Sequence, residues 1–346
     1  MTRLTITATD TGRRLDKFLL AYMSSATRTF IYKLLRKKRI KLNGKRAEGG
    51  ELLKAGDVIE FHLSQETMES SRKNNDSINP IHNTAHGDTL RNLRRDEEDI
   101  APSKGSHPHS YDSGLPPIVY EDENLLIINK PAGLASHGGM KSTTPHLLAR
   151  VLIYLGQKGD YSPYATFTPA LCNRLDVNTS GLVVCGKNYQ AIRAINALFA
   201  TPSAIEKQYL AIVEGELTGS ATLEGHYHKD TNTNIARITQ GSNLPQVITQ
   251  YTSISASTKY SLISINPITG RTHQIRAHMA AIGHPLAGDK KYGGKPMYSM
   301  KGQLLHCNML KLTMPVLDYP ASTTWTAKPP QEFIKVAEKM GISWYI

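Results

Sequence analysis

Asn173-Arg174-Leu175-Asp176-Val177-Asn178-Thr179-Ser180-Gly181, running straight into Leu182-Val183-Val184-Cys185, is the stretch on which the fold turns. It offers one carboxylate, then small turn-forming residues, then an apolar run that reads as a buried strand. Thr179 and Ser180 can hydrogen-bond the turn, and Gly181 permits a backbone shape that other residues resist. An acid between an arginine and a tight turn is thereby held at the end of a strand. Taken alone, such an aspartate is far more often a cap or a surface acid than a reactive group. A second polar stretch, Thr269-Gly270-Arg271-Thr272-His273-Gln274-Ile275-Arg276, sets a guanidinium one turn or so into an expected helix.

The surrounding pattern fixes the fold class. Leu125 to Ile128 reads as a buried strand ended by Asn129-Lys130-Pro131-Ala132-Gly133. Leu147, Leu148, Val151, Leu152 and Leu155 make one helix face, and Ile192, Ile195, Leu198 and Phe199 another. Strands are expected near Gln208 to Val213, Val247 to Ile254, Ser261 to Ile265 and Met309 to Leu312, with a closing helix near Glu332 to Met340. Consecutive strands without regular helical crossovers predict an α+β domain over 118–346: a mixed, largely antiparallel sheet flanked by helices.

The first 65 residues predict a small α/β module. Leu15, Phe18, Leu19 and Tyr22 share a helix face, and Thr27 or Thr29 can cap a second helix whose buried stripe is Ile31, Leu34 and Leu35. Ile40-Lys41-Leu42 meets the hairpin signal Asn43-Gly44, and Val58 to Phe61 reads as a last strand. Asp16 lies on the first helix with no turn residues after it, which predicts a structural role. Residues 66–117 are dense in polar residues, glycine and proline, which predicts a flexible linker, with a short helix around Leu90 to Arg95 inducible on a bound partner. His82, His86, His107 and His109 lack the spacing of a metal site, and none is expected.

At 346 residues the chain can form two domains. No apolar run approaches the ~20 residues of a membrane span, and the N-terminus lacks a signal-peptide pattern. Cys172, Cys185 and Cys307 have no paired metal-like spacing, which points to reduced thiols in a cytoplasmic protein. Cys172 stands near Asp176, so a thiol nucleophile has to be considered, although a small buried side chain is the commoner outcome. No phosphate-binding glycine loop is present, since Gly138-Gly139 and Gly293-Gly294 lack the spacing. The net charge of +12 is concentrated: Arg28, Lys33, Arg36, Lys37, Lys38, Arg39, Lys41, Lys45 and Arg46 fall within residues 28–46 without one acid. A solvated helix face and a polyanion-binding surface fit that charge equally well.

The two polar stretches resemble the catalytic motifs of the RluA-type pseudouridine synthases, which convert uridine to pseudouridine in RNA. Arg14-Leu15-Asp16-Lys17-Phe18-Leu19, Ile31 to Arg46 and Ala55-Gly56-Asp57 resemble the alpha-L RNA-binding domain first known from a ribosomal small-subunit protein. Together the likenesses cover most of the chain, and the two-domain layout is similar to the RluC and RluD branches. They imply an isomerase without cofactor or metal, acting in the cytoplasm as a monomer on uridines of bacterial 23S (large-subunit) ribosomal RNA, with no membrane and no obligatory protein partner. The rival is a non-catalytic RNA-binding or ribosome-assembly protein on the same fold.

The resemblance also implies roles. Asp176 is the catalytic acid, and Arg276 its ionic partner. Tyr209, in Glu206 to Gly215, is the active-site aromatic able to stack on an extruded uracil. Arg174 is a candidate to fill the space the target base vacates, and Arg271 to contact phosphate. Arg28, Lys33, Arg36, Lys37, Lys38, Arg39 and Lys41 are expected along the RNA backbone. His273 is expected to pack or hydrogen-bond. Asn129 to Gly133 and His284 to Asp289 with Tyr292-Gly293 match the family in ways that look structural. One departure is visible: Asn173 stands where the family more often has histidine.

Overall fold

Apolar side chains at helical spacing close the N-terminal module. In the computed structural model, which describes residues 1–72, 114–138, 146–162, 165–230, 233–239, 241, 243–297 and 302–343, α1 (Leu15–Tyr22) and α2 (Arg28–Arg36) bury Leu15, Phe18, Leu19, Ile31 and Leu35 in one core. Thr27 is the cap of α2, its hydroxyl accepting from Phe30 N at 3.2 Å. The module's sheet has the order β1 (Thr2–Thr5), β4 (Val58–Phe61), β2 (Ile40–Leu42), β3 (Lys45–Arg46). Asn43 and Gly44 join β2 to β3 with φ of 52° and 73°, the positive pair that a tight hairpin needs. Asp16 is structural, as expected: it is buried and accepts from Arg14, from the Tyr32 hydroxyl and from Lys17 N.

The segment read as a linker begins with structure. Gln65–Arg72 forms α3, and Met68 packs into the N-terminal core. Met68 and a hydrogen bond from Ser25 N to the carbonyl of buried Ser71 dock a helix whose composition is otherwise that of a coil. Residues 73–113, including the four histidines and the inducible helix, lie outside the described residues.

An eleven-stranded sheet carries the rest, in the order β11 (Ile235–Thr239), β10 (Ser220–Asp230), β12 (Gln246–Ala256), β13 (Tyr260–Pro267), β9 (Ile205–Glu214), β14 (Leu305–Leu312), β8 (Ser180–Gly186), β6 (Leu125–Lys130), β5 (Ile118–Glu121). β15 (Thr324–Thr326) adds to β14 and β7 (Ala170–Leu171) to β8. All described pairs are antiparallel except β14 with β8. The sheet is therefore mixed and largely antiparallel. α4 (Leu147–Lys158) and α5 (Tyr189–Ala200) cover β6 and β8, α6 (Gln274–Ala281) packs on β9 and β13, and α7 (Gln331–Lys339) closes a smaller cluster.

The parallel pair is where Gly181 matters. Its φ is +118°, and a Cβ there would meet the Cys307 carbonyl oxygen at 2.2 Å. Only glycine lets β14 lie this close to the start of β8. His306 of β14, fully buried, ties its strand to β8 and to the residue after β15: its Nδ1 meets the Ser180 hydroxyl at 2.9 Å and its Nε2 the Ala327 carbonyl at 2.9 Å.

The N-terminal module touches the sheet domain. Thr166 donates its hydroxyl to Asp10 at 2.6 Å and accepts from Arg13 through its carbonyl at 2.7 Å. The 3-10 turn Ala8–Asp10 leans on α5. Among the described residues no helix is long and apolar enough to cross a membrane.

Candidate active site

Asp176 occupies the turn that enters β8, closed by Thr179 N donating to the Asp176 carbonyl at 3.0 Å. Both flanks are tied down by the loop after β6. Ser136 bonds the backbone of Leu175 through both its N–H and its carbonyl. Lys130 is fully buried, and its ammonium donates to the carbonyls of Pro131, Leu134 and Val177 at 3.0, 2.8 and 3.1 Å. Burial pushes that ammonium down to about 7, while the charge of Asp176 pulls the other way. Asn173 substitutes for a strand neighbour: its amide donates to the Leu182 carbonyl at 3.2 Å and accepts from Val184 N at 2.8 Å. It steadies the strand that follows the acid.

The structure brings Arg276 to Asp176. Its Nη1 donates to Asp176 Oδ2 at 3.0 Å, while Nε and Nη2 grip the two oxygens of buried Asp289 at 2.7 Å each. The bidentate grip on Asp289 fixes the plane of the guanidinium, so the third nitrogen points one way only. Burial opposes the arginine's charge, but Asp289 and then Asp176 outweigh it and hold its pKa above the ordinary value. The Tyr292 ring lies against the guanidinium, 4.9 Å from Cζ to centroid.

His273 stands closer to the chemistry than expected from sequence. It caps α6 with φ of 56°, its Nε2 lies 3.6 Å from Asp176 Oδ2, and its Nδ1 lies 3.0 Å from the Tyr292 hydroxyl. Burial, with Arg276 and Lys291 adding to it, holds His273 below the usual imidazole value against the pull of Asp176.

Asp176, Arg276 and His273 line one cavity of about 300 Å³ together with Arg174, Tyr209 and Arg271. All five sequence-predicted residues of the sheet domain thus share it, Arg174 and Arg271 on its exposed side. Tyr209 reaches the wall from β9 opposite Cys307 of β14. Burial, reinforced by the Cys307 contact, holds its phenol well above its ordinary pKa. Cys172 also lines the cavity, but burial pushes its thiol up to about 12, which leaves no thiolate at neutral pH. The seven basic residues of the N-terminal module lie elsewhere: six are exposed on α2 and the turn after it, and Lys41 is half-buried. Among the described residues no cluster of His, Cys, Asp or Glu could hold a metal.

Sequence reading missed the partners rather than the principals. Asp289, Tyr292 and Lys130 sit in motifs taken as structural. The available signal was a buried-type lysine and a lone aspartate beside glycine, both beyond local periodicity to interpret.

The chain is similar to known proteins over most of its length. The RNA pseudouridylate synthase family model matches residues 124–281, and the S4 domain model matches residues 13–59. The ribosomal large subunit pseudouridine synthase C of Vibrio parahaemolyticus is 29% identical over 314 residues, 89% of this chain and 87% of that protein. Its namesake in Escherichia coli K12 is 28% identical over 325 residues, covering 90% and 88%. A solved human structure, RNA pseudouridylate synthase domain containing 4, superposes with a TM-score of 0.52 at 23% identity over 66% of this chain and 94% of its own, a likeness of fold. Residues 124–281 thus match the RNA pseudouridylate synthase family of isomerases and residues 13–59 an S4 domain, and most of the chain is similar to enzymes named ribosomal large subunit pseudouridine synthase C.

Proposed function

We propose that this protein isomerises specific uridines of bacterial large-subunit (23S) ribosomal RNA to pseudouridine, with Asp176 as the catalytic group. The large-subunit assignment draws on relatives named for that substrate, aligned over about nine tenths of the chain. The observation that carries the chemistry is the sharing of Arg276 between two carboxylates. Asp289 takes two of its nitrogens and Asp176 receives the third through Oδ2 alone. Oδ1 of Asp176 has no hydrogen-bond partner among the described residues, and it is the oxygen available to a ribose.

The reaction breaks the N1–C1′ bond, turns the freed uracil and joins C5 to C1′, with the C5 proton leaving and N1 gaining one. Nothing is oxidised, so the protein must supply a carboxylate, a cation to orient it and a wall to retain the base. Tyr209 provides the aromatic wall, and its neutral phenol can pass a proton in the rearrangement. Arg174, beside the acid and exposed, suits the vacated stack. Arg271 suits a phosphate. The exposed Arg28, Lys33, Arg36, Lys37, Lys38 and Arg39, with Lys41 below them, suit an RNA backbone and add affinity and register rather than sequence choice. We place the end of the RNA-binding domain after α3, at residue 72, because Met68 belongs to its core.

Asp176→Asn keeps the shape and removes the negative charge. It should abolish tritium release from 5-tritiated uridine in ribosomal RNA, leaving the melting temperature and RNA affinity nearly unchanged. Activity within about tenfold of wild type, a barrier change of only ~1.4 kcal/mol, would remove Asp176 from the chemistry.

A further inference from the structure

Tyr292 touches both groups that touch Asp176. Its ring supports the Arg276 guanidinium from 4.9 Å, and its hydroxyl meets His273 Nδ1 at 3.0 Å. The same hydroxyl oxygen accepts from Ala236 N, on β11, at 2.8 Å. That third contact fixes the direction of the second. A backbone N–H can only donate, so the phenol oxygen is already an acceptor towards β11. Its own proton then has His273 Nδ1 as its acceptor. In the opposite arrangement two N–H groups would crowd one phenol oxygen, and the phenol proton would lack an acceptor among the described residues.

The far side of the ring demands the same answer. If Nδ1 accepts, the proton of a neutral imidazole sits on Nε2, 3.6 Å from Asp176 Oδ2. The other tautomer would aim a lone pair at a carboxylate oxygen. Burial keeps His273 from carrying a second proton at neutral pH. Both ends of the ring select one tautomer.

We propose that Tyr292 is a positioning residue that locks His273 in its Nε2–H tautomer, so that an N–H rather than a lone pair faces Asp176 Oδ2 beside the Arg276 hydrogen bond and Oδ1 is left to the substrate. Nothing in the local sequence of β11 or of the Tyr292 turn predicts this link. It rests on the reading of Asp176 as the catalytic group, but its first test does not.

The test is nitrogen-15 NMR of the full-length protein with labelled histidine, the His273 signals being assigned by their loss in His273→Gln. In wild type, Nε2 should carry the proton and Nδ1 should show the shift of a hydrogen-bonded acceptor. In Tyr292→Phe, which keeps the ring and its packing against Arg276, the His273 signals should move towards a mixture of tautomers. The single-turnover rate on ribosomal RNA should drop about fivefold or more in that variant, with the dissociation constant for RNA unchanged. Finding the proton on Nδ1 in wild type, no change of tautomer in Tyr292→Phe, or a rate within about twofold of wild type would overturn the proposal. The NMR readout needs no turnover. Failure of the Asp176 reading would show separately, as an active Asp176→Asn protein with the His273 tautomer intact.

Discussion

Arg276→Met should lower the single-turnover rate on ribosomal RNA by about a hundredfold or more, whereas Arg271→Met should lower it only a few-fold at saturating enzyme. Each change removes one positive charge. Arg276, however, is buried between Asp289 and Asp176, while Arg271 is exposed at the cavity. Removing the buried cation leaves two carboxylates facing the same space, a far larger disturbance than deleting a solvated charge. Lysine at 276 should restore only part of the rate, because it supplies charge without the fork that Asp289 reads. Equal losses at 271 and 276 would count against the pairing. That Asp176, Arg276 and Tyr209 would meet in one cavity was legible from their motifs, whose residue types and order mark them out. Asp289 was not, since its meaning is a pairing with Arg276 that only the folded chain creates.

Among elements, the junction of β8, β14 and β15 sets a pH limit. Burial holds His306 down to about 4, well under an ordinary histidine, and His278 on α6 likewise to about 4. The unfolded chain therefore binds more protons than the native one between about pH 6.5 and 4. Stability from these neutral histidines is complete above about pH 6.5 and is lost as acid takes the pH towards 4. Denaturant unfolding at several values from pH 7 to 5 should show the decline. His306→Gln should make it shallower by up to ~1.4 kcal/mol per pH unit, the slope of one proton. A variant with the full wild-type slope would show that His306 does not titrate this way. The strands of the core were readable here because β6 and β8 are continuous apolar runs. β10 and β11 were not: apart from Gly225 and Ala236 their residues are half-buried or exposed, so no strict alternation marks them. β1 is four residues long and is held by its register with β4, a partner from the far end of the module.

At the scale of the whole molecule the charge is divided from the chemistry. Six exposed cations lie on α2 and its following turn, while Asp176 lies at the parallel joint of the other sheet. Removing residues 1–72 should flatten the salt dependence of binding to ribosomal RNA by about 0.7 to 0.9 in log–log slope for each phosphate that the shortened protein no longer neutralises. The same slope with and without those residues would reduce α2 to a solvated surface. The α+β class and the two modules could be read from apolar spacing. α3 could not, because a single methionine and one backbone hydrogen bond attach it.

The small contact at Thr166 acquires weight from covalent connection. Two hydrogen bonds and a short turn against α5 would not hold two independent proteins together at cellular concentration. Joined by one chain, the modules meet at an effective concentration that no free partner matches, and a feeble contact becomes a populated one. The polymer would thus perform part of the work of recognition: an RNA captured by α2, as proposed, would already be a neighbour of Asp176. The same modules supplied as two separate polypeptides would each keep their fold and lose that neighbourhood.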